Sequence, residues 1–245
     1  MKVSWVIPCY NEEEVIEKTV REVAFCLARQ PFEYEIIAIN NISTDRTREI
    51  LMGLVGEFPR LRVLDGTEKG KGSAVKLGML AATGDIRLFS DADNSTSPNH
   101  FEKFLPFLCY GENASRDCYD IVIGSIEVPG AVVEEHAQWY RRMLGKLSKY
   151  VIRAVSGLWD VRDSQRGFKM FSKKAAEIVF SRQTLKIWGF DFEILLIAKR
   201  HGLKIKEVPV RWNNPAGSKV KLSSYITTLE ELITVRLNAQ RGVYD

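Results

Sequence analysis

Residues 85–93 read Asp-Ile-Arg-Leu-Phe-Ser-Asp-Ala-Asp. A short, largely apolar run of strand type is followed at once by two carboxylates, Asp91 and Asp93, flanking one small residue, Ala92. Such a pair at a strand end can hold a hard divalent cation through one or two oxygens, leaving its other positions to diphosphate oxygens and water. A solvated turn capping the next helix would carry the same letters, and D-x-D by itself recurs by chance. Its place directly after a strand favours the ligand reading.

Working outward from this run, apolar strands alternate with helical periodicity. VSWVIP (3–8) precedes a helix from about Glu12 to Arg29; EYEIIAI (33–39) precedes one from Thr44 to Val55; LRVLD (61–65) precedes one from Gly72 to Ala82. A helix after Pro98 and the strand YDIVIGS (119–125) follow. Strands separated by helices of this length predict an α/β fold, a mostly parallel Rossmann-like sheet with helices on both faces. In such sheets ligands bind beyond the carboxyl ends of the strands. The polar runs CYNEEE, NNISTD and DADNS all fall there. The second half holds a polar loop over 126–137, a long helix over Gln138–Ser156, a mixed region ending in KIKEVPVRW and a terminal helix. This predicts one domain over 1–217 with a C-terminal helical extension over 218–245 packed on it.

Composition narrows the classes. At 245 residues, 45% hydrophobic and 27% charged, the chain can bury a sizeable core, and disordered, collagen-like and disulfide-stapled classes are excluded. A net charge of +4 is too mild for a nucleic-acid binder and suits a phosphorylated ligand. Cys9, Cys26, Cys109 and Cys118 form no C-x-x-C pair and no histidine lies near paired thiols, which argues against zinc. Thiols so scattered predict reduced, buried cysteines and a reducing, cytoplasmic setting. The chain opens directly on a strand-like run, which predicts no signal peptide. Lys146, Lys149 and Arg153 interrupt its most apolar helical region, so any membrane contact is expected to be peripheral.

Lys69-Gly70-Lys71-Gly72 leads into a helix and offers ammonium groups and helix-terminal amides to an anion; an ordinary solvated Gly-rich loop is the plain alternative. Neither a P-loop nor a G-x-G-x-x-G dinucleotide fingerprint is present.

VIPCYNEEE, KGKGSA, AATGDIRLFSDAD, YDIVIGS, WYRRMLG, VRDSQRGFKMF, WGFDFEILLIAKRHGLKIKEVPVRW and Gly217-Ser218-Lys219, in this order, resemble the family 2 glycosyltransferases of GT-A fold. The dolichyl-phosphate β-glucosyltransferase branch and its prokaryotic polyprenyl-phosphate relatives are the most similar. The resemblance covers nearly the whole chain. It implies inverting transfer of a hexose from a nucleoside diphosphate sugar, UDP-glucose before GDP-mannose, to a polyprenyl monophosphate at the cytosolic membrane face with Mg²⁺ or Mn²⁺. Carried over motif by motif, Pro8, Tyr10, Glu12 and Asn40 line the nucleoside pocket, Lys71, Asp91, Ala92 and Asp93 help hold the nucleotide, and Asp91 and Asp93 hold the metal. Arg141 meets a phosphate, while Gln165, Lys169, Ser218 and Lys219 close over diphosphate and acceptor. Asp93, Arg141, Lys169 and Asp191 are the expected catalytic set.

An acceptor phosphate monoester has a second pKa of about 6 and needs no strong general base. A saccharide or protein hydroxyl acceptor would need one, with Asp191 the first candidate. In the prenyl-phosphate branch Asp191 and Glu193 are expected to shape the site, or else to cap a helix.

Two departures from the family pattern stand out. Asn40-Asn41-Ile42-Ser43 replaces a run of two aspartates, Gly and Ser, and Ile126 stands where relatives commonly carry Arg. A carboxamide suits uracil N3–H better than the guanine donor pair, which favours UDP. Ile42 is not expected to adopt the positive φ open to Gly. Other readings are a silent nucleotide-sugar binding module and a sugar-nucleotide pyrophosphorylase. The latter lacks its Gly-rich signature.

Arg142, Lys146, Lys149 and Arg153 form one basic helical face beside a stripe of Leu144, Leu147, Val151 and Val155, suited either to an anionic lipid surface or to core packing with a solvated face. With no spanning helix predicted, a separate membrane-anchoring protein is a possible partner. The tryptophans, Trp212 among them, and the histidines read as structural.

Overall fold

The computed structural model describes residues 1–111, 117–134, 139–213 and 222–245; for 139–147 and 222–226 it describes the backbone only. The parallel core of the sheet comes from β1 (Lys2–Cys9), β2 (Glu33–Asn40), β3 (Leu61–Asp65) and β4 (Ile86–Phe89). Their crossover helices are α1 (Ile16–Ala28), α2 (Thr47–Val55) and α3 (Lys71–Ala81). The region after Pro98 forms only a short helical stretch around α4 (Phe101–Phe104), because Pro106 limits its continuation. Then come β5 (Ile121–Ser125), β6 (Val132–Glu134), α5 (Trp139–Ser156), β7 (Lys169–Ser172), α6 (Lys173–Arg182) and α7 (Phe190–Arg200). The chain closes with β8 (Ile205–Pro209), β9 (Arg211–Asn213) and α8 (Leu222–Gln240).

The seven-stranded sheet has the order β3-β2-β1-β4-β7-β5-β8. Within it β7 alone runs antiparallel to both neighbours. Because side chains alternate across a strand, Trp5 and Ile7 face a core with α1, α2 and Phe101, whereas Val6 faces one with α3, α6 and α7. Helices therefore cover both faces, as the alternating pattern predicts. α8 adds Leu232, Val235 and Ala239 to the second core.

The antiparallel sense of β7 has a direct functional consequence. It pairs Lys169, the first residue of β7, with Phe89, the last of β4. A parallel β7 would start at the other edge of the sheet; this one begins beside Asp91.

Two sequence expectations are corrected. Part of the polar loop over 126–137 is the strand β6, which pairs with β9 in a separate ribbon that sequence alternation is too short to reveal. Cys109 and Cys118 form a disulfide. Backbone pairing of Cys109 N with Tyr119 O (2.8 Å) and Tyr119 N with Phe107 O (2.9 Å) holds the backbone at the two cysteines side by side. Since such bonds are rare in most cytosolic proteins, the cysteine argument for a reducing compartment falls away. Cys9 and Cys26 are buried and take no part in a disulfide. Among the described residues no helix is long and apolar enough to cross a membrane.

Candidate active site

The carboxyl ends of β1, β2 and β4 meet at one edge, and each is followed by a residue with positive φ: Asn11 (54°) and Ile42 (60°) directly beyond β1 and β2, and Asn94 (50°) just past the Asp91-Ala92-Asp93 turn. Asn tolerates this region and Ile does not, so Ile42 occupies, against the sequence expectation, the conformation a Gly would take. Interlocking hydrogen bonds hold it there. Asn11 N donates to Ser43 Oγ (3.1 Å), Thr44 N to Asn11 Oδ1 (2.8 Å) and Glu12 N to Thr47 Oγ1 (2.8 Å).

The Asp91-Ala92-Asp93 turn is anchored from three sides. Trp5 Nε1 donates to Ser90 Oγ (2.8 Å), Thr19 Oγ1 to Ala92 O (2.6 Å), and Asn94 Nδ2 to Glu22 Oε2 (2.7 Å). Asp93 is exposed, its Oδ1 accepting from Ser95 N at 2.9 Å and Ser95 Oγ at 2.5 Å. Asp91 is ion-paired with Lys71. Gly167 backs directly onto this carboxylate: a Cβ there would lie 2.1 Å from Asp91 Oδ2, so no other residue fits without displacing Asp91.

Two further ionic pairs adjoin. Fully buried Lys169 donates to Asp191, on the first turn of α7, and to Arg166 O. Asp163, also fully buried, faces Arg166, whose Nε lies 3.2 Å from Oδ2. Burial pushes the Lys169 ammonium down, assisted by Lys71 and opposed by Asp191. For Lys71 burial acts the same way, but Asp91, Asp191 and Asp93 outweigh it and the pKa is raised. Burial likewise disfavours the Asp91 carboxylate, yet Lys71, Lys169 and Arg166 hold its pKa below the ordinary value. Asp91 is therefore ionised at neutral pH.

An oxygen donor set of two carboxylates on one turn fits Mg²⁺ or Mn²⁺, ions that take one or two protein carboxylates and complete their shell from phosphate and water. No group of three or more metal-ligating side chains occurs among the described residues, so a metal here would lean on its ligand for the remaining positions.

The helix-terminus reading of KGKG is corrected. Gly72 N and Ser73 N donate to Ile187 O (3.3 Å) and Lys186 O (3.1 Å), so these amides face protein rather than ligand. Gly70, at φ 124°, is needed because a Cβ would meet Lys186 O at 2.1 Å. The 187–189 loop is gripped in turn by Glu231 of α8, which accepts from Ile187 N (3.3 Å), Trp188 N (3.0 Å) and Gly189 N (2.7 Å). Lys71 itself remains directed at Asp91.

Of the other sequence candidates, Pro8 is buried at the end of β1 and Tyr10 is exposed beside Glu12 on the following loop. Asn40 is buried and spends its carboxamide on Asp65 Oδ1 (2.8 Å) and Ser43 N (3.3 Å). Part of its hydrogen-bonding capacity is thus taken up inside the protein. Gln165 is half-buried in the segment before β7. Glu193 lies apart from the ionic cluster: it accepts from Thr184, Leu185 N and Tyr244 Oη and ties the chain's end to α7, so it does not shape the site. Arg141 is on α5, its side chain outside the described residues, as are those of Arg142 and Lys146; Ser218 and Lys219 lie outside them altogether. On the basic face of α5, Lys149 bonds Glu127 Oε1 (2.5 Å) and Arg153 donates to Arg162 O, so half of that face is engaged within the protein. Sequence reasoning passed over Asp163 and Arg166; the signal was two opposite charges three residues apart in RDSQRGF, just before an apolar strand.

The Glycosyl transferase family 2 profile matches residues 4–180. The chain belongs to this family. It is 33% identical over 251 residues to "Dolichyl-phosphate beta-glucosyltransferase ALG5A" of Trichomonas vaginalis, covering 99% of this chain and 75% of that one. With the Saccharomyces cerevisiae dolichyl-phosphate beta-glucosyltransferase it shares 28% identity over 257 residues, 99% of this chain and 76% of the other. Among solved structures, glucosyl-3-phosphoglycerate synthase from Mycobacterium tuberculosis in complex with Mn²⁺, uridine-diphosphate and phosphoglyceric acid superposes with a TM-score of 0.69 at 22% identity, over all of this chain and 80% of that one. The mostly parallel sheet with its helices is thus the GT-A fold, and this family 2 member is a glycosyltransferase.

Proposed function

We propose that this glycosyltransferase moves glucose from UDP-glucose to a polyprenyl or dolichyl monophosphate, with inversion and with Mg²⁺ or Mn²⁺, as a peripheral protein at a membrane surface. The observation that carries the reading is similarity to dolichyl-phosphate glucosyltransferases along 99% of the chain, through the residues that build the Asp91 cluster. The cytosolic side rests on the family resemblance alone.

A divalent ion on Asp91 and Asp93 would neutralise charge on the departing diphosphate. Lys71 and Lys169, held by Asp91 and Asp191, supply fixed positive charge at the same edge and need no reorganisation as negative charge develops. An acceptor phosphate, largely dianionic near neutral pH, attacks without surrendering a proton. Asp191 supports this choice over a hydroxyl acceptor: its carboxylate is already engaged by the buried Lys169 ammonium. Arg141, Gln165, Ser218 and Lys219 are assigned to the acceptor side, and Pro8, Tyr10 and Glu12 to the nucleoside, on the motif match.

The test offers purified protein a polyprenyl phosphate, Mg²⁺ or Mn²⁺, and labelled UDP-glucose or GDP-mannose, then counts label in the organic phase. Label from UDP-glucose, lost on chelation, is expected. Lipid label from GDP-mannose alone would overturn the donor; transfer only to a hydroxyl acceptor, abolished by Asp191→Asn, would overturn the acceptor.

A further inference from the structure

We propose that Arg166 is a phosphate-binding residue of this site, presenting the two terminal nitrogens of its guanidinium to a substrate phosphate. The inference rests on the transferase reading above and adds a residue outside the motif-derived set.

Arg166 immediately precedes Gly167, the residue packed against the Asp91 carboxylate. Its guanidinium is fixed on two sides, Nε 3.2 Å from Asp163 Oδ2 and Cζ 4.4 Å from the centre of the Trp212 ring. Both supports are themselves held. Asp163 Oδ2 accepts from Ile126 N (3.1 Å), and Asp163 N donates to Glu207 Oε1 (2.9 Å). Trp212 bridges to Thr96, and Asn213 N donates to Ser95 O (2.9 Å), which ties this platform to the loop leaving Asp93.

The other two cations are already committed, Lys71 to Asp91 and Lys169 to Asp191. Among the described residues the Arg166 side chain makes only the Nε pair and the ring contact, and it remains 17% exposed. A planar fork stacked on an aromatic face, with one edge pinned by a carboxylate, leaves its other edge oriented for bidentate recognition of a phosphate. Arg166 also contributes to the field that keeps Asp91 ionised, which places it at the same centre. The donor diphosphate and the acceptor monoester share this chemistry.

Calorimetric titrations of the intact protein with UDP in Mg²⁺ and with farnesyl phosphate in micelles separate the two sources. Arg166→Gln is expected to weaken one ligand or both by about 10- to 100-fold, the range of a hydrogen bond to a charged group. A loss for UDP assigns the donor diphosphate; a loss confined to farnesyl phosphate assigns the acceptor. Arg166→Lys keeps the charge that balances Asp163 but lacks the fork, so it should restore folding and only part of the binding, and it serves if the Gln variant fails to fold. Both ligands binding the folded variants within twofold of the parent would make Arg166 merely the counter-ion of Asp163 and overturn the proposal. A parent protein that binds UDP but neither binds farnesyl phosphate nor makes lipid product would sink the acceptor reading separately, leaving Arg166 to be judged on UDP.

Discussion

The two edges of the parallel sheet are built from the same strands and are finished differently. At the amino edge, Glu35 of β2 is buried, yet its carboxylate accepts from Ser4 Oγ (2.7 Å), Thr83 N (2.9 Å), Thr83 Oγ1 (2.7 Å) and Arg62 Nη1 (2.7 Å). At the carboxyl edge, Asn41 Oδ1, Asn94 Oδ1 and Asp163 Oδ1 are buried without a hydrogen-bond partner among the described residues. All three non-Gly residues of positive φ among the described residues lie at that edge too. Buried polar groups left unsatisfied and backbone held in sparse regions cost stability, and they persist where function requires them. One edge stabilises the sheet; the other is arranged for ligands.

Substitutions can break this contrast. Asp91→Asn should lower transfer by about 1,000-fold while the melting temperature stays within a few degrees of the parent, as read by steady-state kinetics and calorimetry. Glu35→Ala should do the reverse. Losing a buried, fully paired carboxylate costs about 3 kcal/mol, a fall in Tm of roughly 6–12 °C for a chain of this size, with kcat of the folded enzyme unchanged. A large loss of kcat in Glu35→Ala would erase the distinction between the edges.

The same carboxylate predicts a pH dependence. Burial works against the charged form of Glu35, but Ser4, Thr83 and Arg62 outweigh it and pull its pKa from 4.5 down to about 2. The folded state therefore releases this proton more readily than the unfolded chain. The stabilisation is complete above pH 4.5 and is lost as the pH falls towards about 2, amounting to about 3 kcal/mol. Denaturant titrations between pH 5 and 2 should show a steeper decline for the parent than for Glu35→Gln; identical slopes would remove Glu35 from the account. The smallest effect belongs to Ile42→Gly, which releases a positive-φ strain and should raise stability by about 0.5–1 kcal/mol, measured by chemical denaturation. A decrease would mean that Ile42 packing outweighs its backbone cost.

The contrast also shows where sequence is a sufficient guide. β1 to β4 and their helices are legible because each strand is a near-continuous apolar run ending in a polar loop, and that pattern alone puts Asp91 and Asp93 at the carboxyl edge. The direction of β7 is not legible. KMFS reads the same in either sense, and only the sheet order brings Lys169 to Phe89 and so to the site. The Asp163–Arg166–Trp212 arrangement joins the segment before β7 to β9 across more than forty residues, a contact that local spacing cannot report. Asn40 illustrates the converse: its residue type suggested a base-reading amide, but a neighbouring carboxylate, Asp65 at the end of β3, takes up part of it. The helix-terminal amides after Lys71 are likewise claimed by a loop more than a hundred residues away.

The most direct test of the central claim, that the carboxyl edge around Asp91 is the donor site, is a crystal structure with UDP and Mn²⁺ read by manganese anomalous scattering. The account predicts a single strong peak against the Asp91 and Asp93 carboxylates, with the diphosphate on the side of Lys71. A nucleotide bound with its metal anywhere else on the protein would contradict it.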